Sequence, residues 1–321
     1  MMKDNLKKIQ SIIESMSITL DVGIYLFENK KTKKDPFVIY KMLFESDIKK
    51  EILNLLSNEI DSYVNEIEEV NDNIPEYNPD EEQSIFKIEK SNLAIFQDFY
   101  PFITEEKDPK MLSKDNLNEK NKIKAWIIKI EFEEDENIRQ ILFLQKFVKS
   151  QFMQTKKMFF ILDNDEFRLL KNDLLGMGNI FDVILLDDVF ISKNLKTFEY
   201  IFDFTEYYKN KSKEFISLLE SSELLEIEEG AKDKIKAKIE RSKRFAYKLY
   251  SAQVNKYYEQ IDIEKLKNLK EHTSIEIEIK NNKIIIDDNT NLDDLVKVLN
   301  DDYEQSIITN NKYIAQKKHK I

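Results

Sequence analysis

Apolar residues near the N-terminus recur at helical spacing, and Leu6, Ile9 and Ile13 predict a short helix over residues 1–15. Ile18 to Phe27 then alternates loosely and Phe37 to Leu43 is a second apolar run. The lysine-rich Asn29–Lys34 and Asp35-Pro36 between them make this pair a predicted hairpin. Ile48, Ile52, Leu55, Leu56, Ile60, Val64 and Ile67 return to helical spacing and predict a long amphipathic helix. Asn71–Asp80, with Pro75 and Pro79, forbids regular structure. A strand at Ser84–Ile88 and an aromatic-rich helix at Leu93–Phe102 follow. The polar stretch Thr104–Lys122 is the expected boundary.

The clearest patterning lies between Lys124 and Leu219. Trp126, Ile128, Ile130 and Phe132 share one face, with Lys129 and Glu131 on the other, which predicts a half-buried strand. Ile141–Leu144 is continuously apolar and suits a strand buried on both sides. Two short pairs come next, Met158–Leu162 with Phe167–Leu170, and Ile180–Leu186 with Val189–Ile191. Asp163-Asn164-Asp165 and Asp187-Asp188 supply their turns. From Leu195 the period becomes helical, with Phe198, Phe202, Phe215, Leu218 and Leu219 as apolar stripes. Beyond Ser222–Gly230, a helical segment runs from Lys232 to Lys248 and a short helix from Ile261 to Leu269. Ser274–Lys280 and Lys283–Ile286 pair about Asn281-Asn282, and Asn291 caps a helix at Leu292–Leu299.

This order predicts an α+β fold: a mostly antiparallel central sheet with covering helices, flanked by an N-terminal α+β region and a C-terminal helical and hairpin region. The expected regions are 1–110 (with the acidic helix), 120–222 (β-rich), and 223–321 (basic helical segment and hairpin-helix). At 321 residues and 41% hydrophobic content the chain can build such cores. No apolar run reaches the roughly 18 residues of a membrane span, and the N-terminus lacks a signal-peptide core. Without cysteine there is no disulfide or thiolate chemistry. A soluble cytoplasmic protein is expected.

Charge changes the picture once it is divided up. Glu51–Glu82 holds eleven acids and no Lys or Arg, equal to the whole net charge of −11. The opposite concentration is Lys232–Lys248, with eight basic residues against Asp233 and Glu240. Arg241 and Arg244, two of only four arginines, lie in it. Lys234, Lys238 and Arg241 fall at i, i+4 and i+7, and a predicted single helix presents them on one exposed face. Clustered cations of this kind suit phosphate backbones without base readout. Phe245, Tyr247, Tyr250, Tyr257 and Tyr258 follow closely, as stacking or packing groups.

Catalytic chemistry has little support. His272 and His319 are the only histidines, in no ligand or triad spacing, and the four glycines build no phosphate loop. Asp287-Asp288-Asn289 with Asp293-Asp294 lacks the glycine and the final Glu of a calcium loop. Glu278-Ile279-Lys280 has the Glu-x-Lys spacing of many Mg²⁺-dependent nucleases; the alternative is a solvated strand face. No catalytic, cofactor or metal residue is assigned. A third reading is a scaffold in which Glu51–Glu82 mimics DNA or holds the basic helix shut.

Several blocks resemble the KwaB-like family of the Kiwa anti-phage system. They are Ile141–Phe147, the Phe181–Ile191 hairpin, Phe198–Phe202, Leu295–Tyr303, and then Thr309, Tyr313 and Lys317-Lys318. The likeness spans about residues 120–321. It implies a bacterial defence effector that binds phage DNA and interferes with replication or late expression. It further implies self-association, as a homodimer, and work beside a small KwaA-like membrane protein that would recruit it to the inner face of the membrane. It brings no catalytic motif. The DNA-binding candidates, chosen on charge, are Lys234, Lys238, Arg241, Arg244, Lys248, Lys317 and Lys318.

Overall fold

A computed structural model describes residues 2–14, 21–29, 37–79, 84–113, 116, 123–134, 137–153, 160–163, 166–169, 173–271, 275–305 and 312–314. The chain forms two compact units, Met1–Tyr77 with Gln83–Asp203, and Asn78–Glu82 with Phe204–Ile321. The expected α+β class is what the structure shows.

The first unit is built on one eight-stranded sheet. Its strands are β1 (Asp21–Asn29), β2 (Phe37–Met42), β3 (Phe86–Glu89), β4 (Lys110–Met111), β5 (Ile123–Glu134), β6 (Asn137–Lys146), β11 (Val183–Leu186) and β12 (Val189–Ser192). Their order is β3-β12-β11-β6-β5-β1-β2-β4, antiparallel except where β4 joins β2. Strands from before residue 110 thus share hydrogen bonds with those after 120. β1 lies beside β5 from Asp21↔Glu131 to Glu28↔Ile123, and β3 beside β12. The short pairs β7 (Phe152–Met153) with β10 (Leu174–Leu175), and β8 (Phe160–Asp163) with β9 (Glu166–Leu169), lie outside this sheet.

Helices cover both faces. On one, α1 (Met2–Glu14) and α2 (Ser46–Glu69) pack Leu6, Ile9, Ile13, Leu56, Ile60, Tyr63 and Ile67 against Trp126, Ile128, Ile130 and Phe143. On the other, α3 (Ala94–Ile103) and α4 (Leu195–Phe202) bring Phe96, Phe99, Phe198 and Phe202 onto Phe27 and Phe190. Each buried phenyl ring contributes about 1.5–3 kcal/mol, so neither layer is ornamental.

This second layer corrects the reading of β5 as half-buried. Its supposedly solvated face is closed by the α3 and α4 layer: Ala125 and Ile127 are fully buried and Lys129 is 1% exposed. The Lys129 Nζ lies 3.0 Å from Glu131 Oε2, an ion contact made without hydrogen-bond alignment. Glu131 in turn accepts from Gln140 (2.5 Å), and Gln140 from the Tyr100 hydroxyl (3.1 Å). A buried ammonium needs such carboxylate company. Gly23 faces Lys129 across the ladder because the Tyr25 ring swings over it; a Cβ there would meet that ring at 2.7 Å.

The second unit packs α5 (Thr205–Glu220) against α7 (Lys243–Asn255), with α6 (Glu229–Arg241), α8 (Ile263–Glu271) and α9 (Leu292–Leu299) around them. A small sheet has the order β13 (Leu225–Ile227), β15 (Lys283–Ile286), β14 (Glu278–Lys280). Asn281 and Asn282 both have positive φ, as the two-residue turn between β14 and β15 requires. The Asn291 side chain accepts from Asp293 N and caps α9, as expected. Two residues of the irregular stretch also belong here by their bonds: Asn78 donates to Asn255, and Pro79 O accepts from Tyr247.

Candidate nucleic-acid interface

The expected single basic helix is two helices. Lysine, arginine and alanine favour helix throughout residues 229–248, but Ser242 leaves the helical region (φ −126°, ψ 102°). Its hydroxyl accepts from Phe245 N, so Ser242 starts a new helix as an N-cap. The break separates Arg241, in the last turn of α6, from Arg244, in the first turn of α7. Ile235 and Ile239 anchor α6 in the core, and Phe245, Ala246 and Leu249 anchor α7. The aromatic residues beside the basic run pack internally. Tyr250 meets Tyr207 edge-on and Tyr208 at a tilt, Tyr247 meets Tyr208 edge-on, and Tyr258 packs on Phe215.

Most of the cations in this region already have partners. Lys232 bonds Glu229 (3.0 Å), which raises its pKa, and lies 3.8 Å from Glu220. Lys234 Nζ donates to the carbonyls of Asp288 (2.7 Å) and Thr290 (3.0 Å). Lys238 pairs with Asp293 at 2.7 Å and lies over the Phe245 ring. Lys248 pairs with Asp302 at 3.4 Å. Glu240, one of the two acids in the run, is held below the usual carboxylate range by bonds from Lys213 and then Lys209 on α5. Arg241 and Arg244 are exposed and, among the described residues, form no ion pair. Lys317 and Lys318 lie outside the described residues.

The candidates therefore separate. Lys234 and Lys238 share a face, as their spacing requires, but the segment spanning residues 287–293, a loop running into the first turn of α9, lies on it. No local pattern signals that pairing, because the partners lie some fifty residues away and read as a failed calcium site. Arg241 and Arg244 flank the Ser242 break together. Lys248 is drawn toward the Asp302 side of α7.

The other candidate chemistry sits elsewhere. Glu278 and Lys280 are on β14, bonded to one another at 2.7 Å on its exposed side, and this raises the Lys280 pKa. Among the described residues no group of three acidic or histidine side chains is placed to hold a metal ion. The acids of Glu51–Glu82 that have described partners find them in the first unit: Glu59 with Lys193, Asp61 with Gln10, Glu68 with Lys3 and Lys7, Asp72 with Lys3, and Glu76 with Lys87. Among the described residues no helix is long and apolar enough to cross a membrane.

The family model of Kiwa KwaB-like proteins matches residues 120–309. No curated protein and no solved structure matches the chain. The match spans more than half of the sequence. The chain belongs to the KwaB-like family, and its role is in Kiwa anti-phage defence.

Proposed function

Taking that membership as the premise, we propose that this protein is a DNA-binding effector that acts by occupying phage DNA rather than by catalysis. The observation that carries this reading is the pair Arg241 and Arg244. They are exposed at a helix break and lack ion-pair partners among the described residues, while lysines on both sides are engaged. A guanidinium presents a planar fork of donors to phosphate oxygens. Two of them at one break grip a backbone without reading bases, which suits an effector that must act on any phage sequence. Binding of this kind obstructs replication or late expression by occupancy. We further propose that the protein dimerises and works beside a KwaA-like membrane partner, which would concentrate it at the membrane face.

The test is duplex affinity against salt. The double variant R241E/R244E should lose at least about tenfold in affinity near 0.1 M salt, and the salt slope should fall by about two ions. Unchanged affinity and slope would remove these residues from the interface. Plasmid incubated with the protein and Mg²⁺ should stay intact, and fragments would replace occupancy with cleavage. Sedimentation of the purified protein alone, and with membranes containing the partner, tests the assembly.

A further inference from the structure

The loop from residue 287, together with the first turn of α9 that carries Asp293, lies along α6 at three levels. At the first turn, a Cβ on Gly230 would meet the Asp288 carboxylate oxygens at 2.7 and 2.8 Å, so the glycine makes room for that acid. One turn on, Lys234 Nζ donates to the carbonyls of Asp288 and Thr290. A further turn on, Lys238 meets the Asp293 carboxylate. Residues 230, 234 and 238 form a single stripe about 12 Å long, and the loop follows it in order. The loop keeps this shape through bonds of its own. Asp287 accepts from the Thr290 hydroxyl (2.7 Å) and Asn289 N (3.0 Å), and Asn291 caps α9. Carboxylate and carbonyl oxygens thus run along a basic helix face, as the acceptor oxygens of a phosphate backbone would.

We propose that this loop is an internal competitor for nucleic acid. It holds Lys234 and Lys238 and leaves Arg241 and Arg244, with the exposed Lys236, as open cations of this stretch among the described residues. Displacing it recruits the two lysines and extends the contact along α6 toward its N-terminus. This inference rests on the DNA-binding reading and adds its regulation. In the closed state the protein makes few phosphate contacts and binds weakly. A partner or a favourable DNA geometry that lifts the loop adds two.

The experiment is a double-mutant cycle on a fluorescent duplex, titrated across salt, using the full chain. D293N removes the carboxylate charge and keeps the shape. It should tighten binding about three- to tenfold at low salt and steepen the salt slope by about one ion, the signature of one newly used lysine. K238Q alone should leave affinity within about twofold, because Lys238 is already occupied. Combined with D293N it should erase the gain. A gain that persists in the K238Q background overturns the proposal, since it then reflects net charge alone. So does a loss from K238Q alone as large as that from R241Q. If R241E/R244E binds as the parent does while the cycle behaves as expected, the loop's role stands and the arginine assignment falls. If neither the parent nor D293N binds duplex, both readings fail. Should D293N unfold α9, shown by circular dichroism, G230A replaces it: the added methyl pushes on the Asp288 carboxylate and should tighten binding in the same direction.

Discussion

Helix α2 carries its acids much as α6 and α7 carry their cations, yet the two regions settle their charge in different ways. In α2 the decisive residue is buried: Glu59 is 6% exposed, and Lys193 reaches it at 2.5 Å while also bonding the Ser62 hydroxyl and lying over the Tyr63 ring. This pair ties α2 to the end of β12 inside the first unit. In α6 and α7 the paired lysines stay partly exposed, although the Asp302 partner of Lys248 is itself buried, and the partners come from loops and neighbouring helices. What distinguishes a structural charge from an available one is therefore the element packed opposite it. Run length and sign do not decide it. Burial commits Glu59 to the fold, while the Ser242 break leaves Arg241 and Arg244 open to a ligand.

The comparison is broken most directly at Lys193. Substituting Lys193→Met leaves the Glu59 carboxylate buried and uncompensated, which should cost about 3–5 kcal/mol in urea unfolding. Adding Glu59→Gln to the same chain should recover much of that loss. A cost under about 1 kcal/mol for Lys193→Met would place this pair among surface pairs. The R241E/R244E double variant should do the reverse. It should leave the unfolding midpoint almost unmoved and lower DNA affinity at least about tenfold.

A smaller effect concerns pH. Burial raises the Glu59 carboxyl above the usual range, against the opposing bond from Lys193, and burial likewise raises Asp182 despite the Lys146 N–H. A carboxyl whose folded pKa is raised binds protons the unfolded chain releases, so stability falls as pH rises from the ordinary carboxylate range to the folded value. Acidifying from neutrality through that window should therefore strengthen the contribution of these two groups. Glu59→Gln should flatten the corresponding part of the stability-against-pH curve, and an unchanged slope would clear Glu59 of the effect. Smallest of all, Lys7→Gln at the exposed Glu68 pair should leave the unfolding midpoint unchanged.

Much of the architecture follows from period alone. The helix over Leu6–Ile13, the long acidic helix, the Asp187-Asp188 and Asn281-Asn282 turns and the Asn291 cap each rest on local backbone chemistry, which a sequence carries in full. So does the concentration of cations at Lys232–Lys248, and with it the place to look for phosphate binding. Tertiary structure decided the matters that depend on what lies opposite. Lys129 is buried because the aromatic layer of α3 and α4 closes over β5, and no pattern within β5 announces a second layer. Lys234, Lys238 and Lys248 are engaged because Asp293, Asp302 and the carbonyls of Asp288 and Thr290 come back to them from distant sequence. Ser242 reads as a neutral helix residue until its backbone turns and its side chain caps α7. Periodicity records which way a side chain points; only the folded chain determines what it meets.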